Sequence, residues 1–441
     1  MLSAGFSKVC ISPPIGAPLA GFAARQEVSR GIHDDLFACA LVLSTGGDTV
    51  AFVSVDVLAL PNDFVRGVRA AIRNATGIRP ECVMVASTHT HAGPVTIRTF
   101  FNPDGSVDQD YMERLADGIT RAVANASENR FPARVGVGVG YVEGVGVNRR
   151  SPDRLPVDRE VGIIKVEDAE GRVRAVFINY ACHPTVLGPD NLLVTRDFPG
   201  FAVSEVEETL GPGSFAMFVN GTQGNISMGH SSELSAIGII TPGRTFERAA
   251  EMGHLLAAAT LSALPDIETT DAPVLGAASV TVGLPAKQYP SPEETERALR
   301  EAEERLAGLG SGGDSEQLNR AKSEHLYASI ENFYAGEVRG LSDGLLPVEL
   351  QGIRVGGAVF LAVPAEVFVE VGMRLKQLAP QRTFIVGIAN GYIGYLPTRE
   401  AHEVGGYEVV SSKCRPEAAD VLLERAVELE TQIFGGKGAR A

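Results

Sequence analysis

Five short apolar runs, each broken off by polar or ionisable residues, constrain this chain more than any other feature. Val83-Met84-Val85-Ala86 runs into Ser87-Thr88-His89-Thr90-His91-Ala92-Gly93-Pro94, and Val173–Tyr180 runs into Ala181-Cys182-His183-Pro184. Phe215–Val219 leads into Asn220-Gly221-Thr222-Gln223-Gly224-Asn225-Ile226-Ser227. Ala358–Val363 ends in Pro364-Ala365-Glu366, and Thr383–Ala389 in Asn390-Gly391-Tyr392-Ile393-Gly394-Tyr395. Runs of this length, rich in β-branched and aromatic residues and closed by turn formers, read as buried strands. In α/β sheets, ligands bind beyond the carboxyl ends of such strands. The expectation is therefore an α/β fold, with a central mixed sheet or sheets flanked by helices and one site fed by several strand ends.

The pair His89 and His91 carries the first chemical hint. Residues i and i+2 of a strand point the same way, so both imidazoles are expected to face one pocket. Two imidazoles on one face suit a zinc site. A hydrogen-bonded pair of histidines at a strand end fits those residues equally well.

At 441 residues the chain exceeds a typical domain, and 44% hydrophobic content is enough for a large core. A single catalytic domain over residues 1–436 is expected. The net charge of −15, with no basic cluster beyond Arg149-Arg150, argues against nucleic acid. No apolar stretch reaches the ~18 residues of an integral membrane segment. The five cysteines are an odd number without a C-x-x-C pair, and the N-terminus lacks a signal-like pattern. Both point to a cytoplasmic protein without a disulfide framework.

Leu36–Leu43 and Val50–Val55 read as a hairpin around Gly46-Gly47, and a helix is expected from Pro61 to about Thr76. Further helices are expected over Tyr111–Ala126, 197–211 and 243–264, with a strand over Val135–Val147. Asp56 and Asp197 follow as carboxylates near the site or as turn and cap residues. Arg149-Arg150 could bind an anionic or carbonyl group, although two arginines in a solvated turn are the simpler reading of those residues alone. Between residues 288 and 340 the texture becomes charged and helical. Ser291-Pro292-Glu293-Glu294 is a capping box. A break at 308–313 separates that helix from a second, from about Asp314 to Tyr334. This helical hairpin, inserted before the strand that delivers Glu366, is a candidate pocket wall or oligomer contact. Residues 435–441 read as a frayed tail.

The assembled pieces resemble the neutral/alkaline non-lysosomal ceramidases and their shorter bacterial relatives. The matching stretches are Ile11–Gly16, Thr88–Pro94, Asn148-Arg149, His183, Gln223–Ser227, Val363–Glu366, Asn390–Tyr395 and Tyr407-Glu408, collinear over nearly the whole chain. The resemblance implies a zinc-dependent amidohydrolase whose metal ligands are His89, His183, Glu366 and Tyr395. It implies His91 as an active-site group beside the metal, and Arg149, Tyr407 and Ser227 as the other catalytic residues. It also implies a chain without the C-terminal immunoglobulin-like domain of the full-length members.

Two imidazoles and a carboxylate leave zinc with net positive charge and an open position. The expected reaction is cleavage of an amide bond, in a ceramide-like N-acyl substrate or another small acylated amine, by metal-activated water. Ser227 has no base near it in sequence and is expected to orient substrate or stabilise the oxyanion. An ester or lactone hydrolase, or a non-catalytic metal- or ligand-binding protein, are the alternatives. A homo-oligomer is compatible with all of them.

Overall fold

The structure is a computed structural model that describes every residue except 103–106, 310–313, 342 and 436–441. The expected frayed tail beyond 435, and residues 310–313 of the expected helix break, thus lie outside the described residues. The larger sheet is built from β1 (Ser3–Cys10), β2 (Phe37–Ser44), β3 (Thr49–Val55) and β4 (Val83–Ser87). It continues with β5 (Phe131–Tyr141), β6 (Glu160–Asp168), β7 (Val173–Tyr180) and β8 (Phe215–Asn220). Their spatial order is β8-β7-β6-β5-β1-β2-β3-β4. A smaller sheet orders β9 (Leu275–Pro285), β10 (Leu345–Val355), β11 (Ala358–Val363) and β12 (Arg382–Gly387) in sequence. Three neighbouring pairs are parallel, β3 with β4, β7 with β8, and β11 with β12.

Side chains alternate across each strand, and that alternation explains the layering. Phe52, Ile164, Phe177, Phe360 and Phe384 share one core between the two sheets. The rings of Phe52, Phe177 and Phe360 meet at centroid distances of 5.1 to 5.4 Å. Each such ring contributes about 1.5–3 kcal/mol through burial. The next residues along, Ile163 and Ile178, face outward onto helices α3 (Phe198–Leu210) and α4 (Phe246–Ala263). Leu361 and Ile385 face the opposite way, onto α7 (Val369–Leu378) and α8 (Ala418–Phe434). Helix α2 (Gln109–Glu128) packs on β1 and β2, with α1 (Asn62–Thr76) beside it. The result is helix, sheet, sheet, helix.

What positions the site is the meeting of strand ends. The larger sheet curls until its two edges approach: Asn220 Nδ2 donates to the Thr88 carbonyl at 2.6 Å and Ser54 Oγ to the Phe218 carbonyl at 2.5 Å. Beyond β12, the Asn390 amide donates to the Val85 carbonyl at 2.7 Å, and its Oδ1 accepts from the Val85 amide at 2.9 Å. The carboxyl ends of β4, β7, β8, β11 and β12 are thereby tied together.

The charged region forms α5 (Pro292–Leu309) and α6 (Ser315–Val338), which pack on each other. The capping box closes reciprocally, Ser291 N to Glu294 Oε2 at 2.9 Å and Glu294 N to Ser291 Oγ at 3.3 Å. The strand expected over Val135–Val147 stops at Tyr141. Gly144 takes a φ of 79°, the chain turns, and Val147-Asn148 pairs separately with Ile226-Ser227. Among the described residues no helix is long and apolar enough to cross a membrane.

Candidate metal centre and active site

Strand β4 ends at Ser87, before the first histidine, and His89 has a φ of 69°. Strand alternation therefore does not aim the two histidines, as the spacing had suggested. A left-handed turn at His89 does, held by its own amide donating to the Val57 carbonyl at 3.0 Å. A non-glycine residue in that region costs about 1–2 kcal/mol and persists only where its surroundings impose it. Asn390, at the end of β12, is left-handed as well, with a φ of 65°. The imidazole centroids of His89 lie 4.8 Å from His91 and 5.0 Å from His183.

Hydrogen bonds to main-chain carbonyls fix how two of these rings present themselves. His89 Nδ1 pairs with the Leu58 carbonyl at 2.7 Å, and His183 Nδ1 with the Gln223 carbonyl at 2.6 Å. A carbonyl oxygen only accepts, so each Nδ1 carries a proton, and each ring when neutral offers its lone pair at Nε2. Both Nε2 atoms face Glu366 Oε2, at 3.5 Å from His89 and 2.9 Å from His183. Burial holds His183 down to about 4, aided by the Arg149 charge, so that ring is neutral near pH 7. When both rings are neutral, two imidazole lone pairs and a carboxylate oxygen converge with no proton among them. A cation at their centre resolves that repulsion, and the donor set of nitrogen and oxygen suits zinc.

His91 completes the cluster. A ring nitrogen from each of His89, His91 and His183 lies within 4.8 Å of the others, the separation a shared metal ion requires. Both His91 nitrogens are buried without a hydrogen-bond partner. Burial, with the neighbouring imidazoles, lowers its pKa well below the ordinary histidine value. Its ring packs against Phe22 at 4.9 Å, and a Cβ at Gly21 would lie 2.4 Å from it, so only glycine fits there. The Arg25 guanidinium donates to the His91 carbonyl at 2.8 Å.

The tyrosines divide the remaining contacts. Tyr392 OH donates to Glu366 Oε1 at 2.5 Å, whereas Tyr395 OH accepts from Arg149 Nη2 at 3.1 Å. Burial, then the Glu366 charge, raises both phenols well above their ordinary value. Tyr407 stands with its ring 6.2 Å from that of Tyr395. Arg149 and Arg150 are not in a solvated turn. Arg149 Nε donates to Glu408 Oε1 at 2.8 Å and Arg150 Nη1 to Glu408 Oε2 at 2.9 Å, with all three side chains buried or nearly so.

Ser227 follows Ile226, whose carbonyl accepts from His183 Nδ1 at 3.0 Å. Its Oγ accepts from the Gly229 amide at 3.2 Å and faces the His230 carbonyl at 3.5 Å, inside a local turn. Its neighbour Gly224 presses backbone to backbone on the metal-site loop. A Cβ there would sit 2.4 Å from the Glu366 carbonyl oxygen. Asp56 and Asp197 are structural. Asp56 accepts from the Phe37 amide at 2.9 Å, and Asp197 caps α3. The cluster opens into a cavity of about 370 Å³ walled by Leu58, Ile97, Phe100, Phe101 and the α6 residues Phe333 and Tyr334. Tyr392, Glu408, Gly21 and Phe22 were not singled out from sequence. The Tyr392–Tyr395 spacing was the one available signal.

Residues 4–232 match the family model described as neutral/alkaline non-lysosomal ceramidase, N-terminal. The chain belongs to this family. Neutral ceramidase from Pseudomonas aeruginosa is 23% identical over 94% of this chain and 70% of its own length. The Mycobacterium tuberculosis neutral ceramidase is 23% identical over 95% of this chain and 74% of its own. The neutral ceramidase of Drosophila pseudoobscura pseudoobscura is 28% identical, but the match spans only 31% of that protein. The crystal structure of the Pseudomonas aeruginosa enzyme superposes with a TM-score of 0.78 at 20% identity, covering 100% of this chain and 75% of that one. The fold is therefore that of a neutral ceramidase.

Proposed function

We propose that this neutral ceramidase relative is a zinc-dependent hydrolase that cleaves the amide bond of an N-acylated amine, ceramide-like lipids included. The observation that carries this reading is the convergence of His89 Nε2, His183 Nε2 and Glu366 Oε2 beside a cavity with an aromatic wall of Phe100, Phe101 and Phe333. His89, His183 and Glu366 would hold the ion, with His91 close enough to join them. Zinc, when bound, supplies Lewis acidity to water and to the scissile carbonyl.

The chain's own groups do the rest. His91, with both nitrogens unpaired, takes a proton at one of them and returns it to the leaving amine. Tyr395 keeps its phenolic proton, and Arg149 holds the oxygen in place to stabilise the tetrahedral oxyanion. Tyr392 orients the Glu366 carboxylate through Oε1. Ser227, Gly224 and Asn225 fix the loop that receives the His183 ring, and Tyr407 closes the pocket behind Tyr395. The walls Phe100, Phe101 and Phe333 accept an acyl chain. The test is a panel of dodecanoyl amides and matching esters assayed with the zinc-loaded protein, then with chelator. Chelator-sensitive amide hydrolysis restored by zinc is expected. Turnover of esters alone, with zinc bound stoichiometrically, would contradict the amide reading.

A further inference from the structure

A second, much smaller cavity of about 40 Å³ adjoins the metal cluster behind His91, Tyr395 and Tyr407, which line both spaces. Arg149, Arg244, His230, Ser232 and Ser235 give it a largely polar lining. Arg149 is paired with Glu408, which it shares with Arg150, but Arg244 has no such partner: its Nε and Nη1 are buried without a hydrogen bond. The remaining nitrogen of Arg244, Nη2, reaches the Thr185 carbonyl at 3.4 Å. No carboxylate among the described residues lies within ion-pairing distance of Arg244; Asp190 and Asp197 act on it only at longer range. Asp197 is already held by three main-chain amides, and Asp190 is exposed.

His230 adds a second open donor. The Thr241 hydroxyl pairs with its Nδ1 at 2.7 Å, and its Nε2 is buried without a partner. With the hydroxyl donating to Nδ1, Nε2 carries the proton and points a donor at the same small space. A guanidinium with unfilled N–H groups, beside an imidazole N–H, is a group matched to an anion. Leaving such donors buried and unpaired is costly, and native interiors rarely do so without a ligand or water. The space holds a few heavy atoms and has no room for a second long chain.

We propose that this chamber is a head-group subsite for an anionic substituent on the amine half of the substrate. The preferred substrate class would then be long-chain N-acyl amines bearing a carboxylate or sulfonate within a few bonds of the amide nitrogen. The short reach follows from the shared lining: His91, Tyr395 and Tyr407 border both the small chamber and the cavity at the histidine cluster. The acyl chain occupies the larger cavity, and the anion selects the amine. This inference rests on the amide-hydrolase reading for its chemistry, but the subsite itself is a matter of binding.

The experiment has two arms on the zinc-loaded full chain. Hydrolysis of N-dodecanoylglycine is compared with that of N-dodecanoylethanolamine, its uncharged counterpart. Binding of the hydrolysis-resistant N-dodecylsulfonyl glycine and N-dodecylsulfonyl ethanolamine is measured calorimetrically. The glycine compounds should be favoured by about 10–100-fold in kcat/KM and in Kd, the range for a charge-assisted hydrogen-bond pair. In Arg244→Gln that preference should collapse through KM, whereas Arg244→Lys should recover part of it. Equal or better use of the ethanolamine compounds by the wild-type protein would overturn the subsite, whether or not the variants fold. Selective binding of the glycine sulfonamide without turnover of either amide would uphold the subsite and overturn the hydrolase instead.

Discussion

Arg149 holds three partners at once: the Glu408 carboxylate, the Gly224 carbonyl and the Tyr395 hydroxyl. Burial works to lower its pKa, but its neighbours Tyr395, Glu408 and Glu366 outweigh that and raise it, so it is a permanent cation in the wall of the site. Removing one partner of a buried ion pair costs about 3–5 kcal/mol. Arg150 remains to pair with Glu408, so Arg149→Met should lose about 3 kcal/mol in urea unfolding. A loss below ~1 kcal/mol would mean the pair is exposed to water in solution. The arginine pair looked solvated in sequence because its carboxylate lies 259 residues downstream. Glu408 was visible only as half of a Tyr-Glu match. His89 and His183 were legible because each follows a buried run. The left-handed turn that aims His89 was not, since no glycine or asparagine marks it.

At the scale of elements, the hairpin α5–α6 was legible from its capping box and its change of texture. Its position over the metal cluster depends on the smaller sheet that precedes and follows it. Phe333 and Tyr334, from α6, line the cavity that opens onto His89 and Glu366. The hairpin therefore supplies a side of the cavity proposed to take the acyl chain. Phe333→Ala removes a wall that contributes about 1.5–3 kcal/mol by burial. The variant should lower kcat/KM for dodecanoyl amides about 10–100-fold relative to butanoyl amides, with metal content unchanged. An equal effect on both chain lengths would place Phe333 in the scaffold rather than in the wall of that cavity. The overlong strand expected to reach Val147 has an equally local cause. Alternation of glycine and valine resumes after Tyr141-Val142-Glu143, but the ladder ends at Tyr141 and the chain turns at Gly144 with its positive φ.

Across the whole molecule, the strand ends were legible but their meeting was not. A sequence shows that β4 and β8 are apolar; it does not show that a curled sheet brings its first and last strands together through Asn220 and Thr88. The same layered core buries one carboxyl with no compensation. Glu430, on α8, has both oxygens buried without a partner, and burial pushes its pKa up to about 7 despite relief from Thr383. A folded pKa above the unfolded one means the native state binds the extra proton. This group's contribution to stability is therefore full below the unfolded carboxyl pKa, near 4.5, and is lost as pH rises through about 7. Glu430→Gln should stabilise the protein by about 1–3 kcal/mol at pH 8 and by much less at pH 5, read by urea unfolding at each pH. A gain independent of pH would contradict the assignment.

The central claim is that His89, His183 and Glu366 hold a catalytic metal ion, and metal content read beside amide hydrolysis tests it most directly. Wild-type protein should carry one zinc per chain. His89→Ala and His183→Ala should each lose most of the zinc and most of the activity together. His91→Ala should keep zinc and lose about 10²–10⁴-fold in rate if the residue transfers protons, and lose zinc if it is a further ligand. Stoichiometric zinc retained by both His89→Ala and His183→Ala would contradict the account.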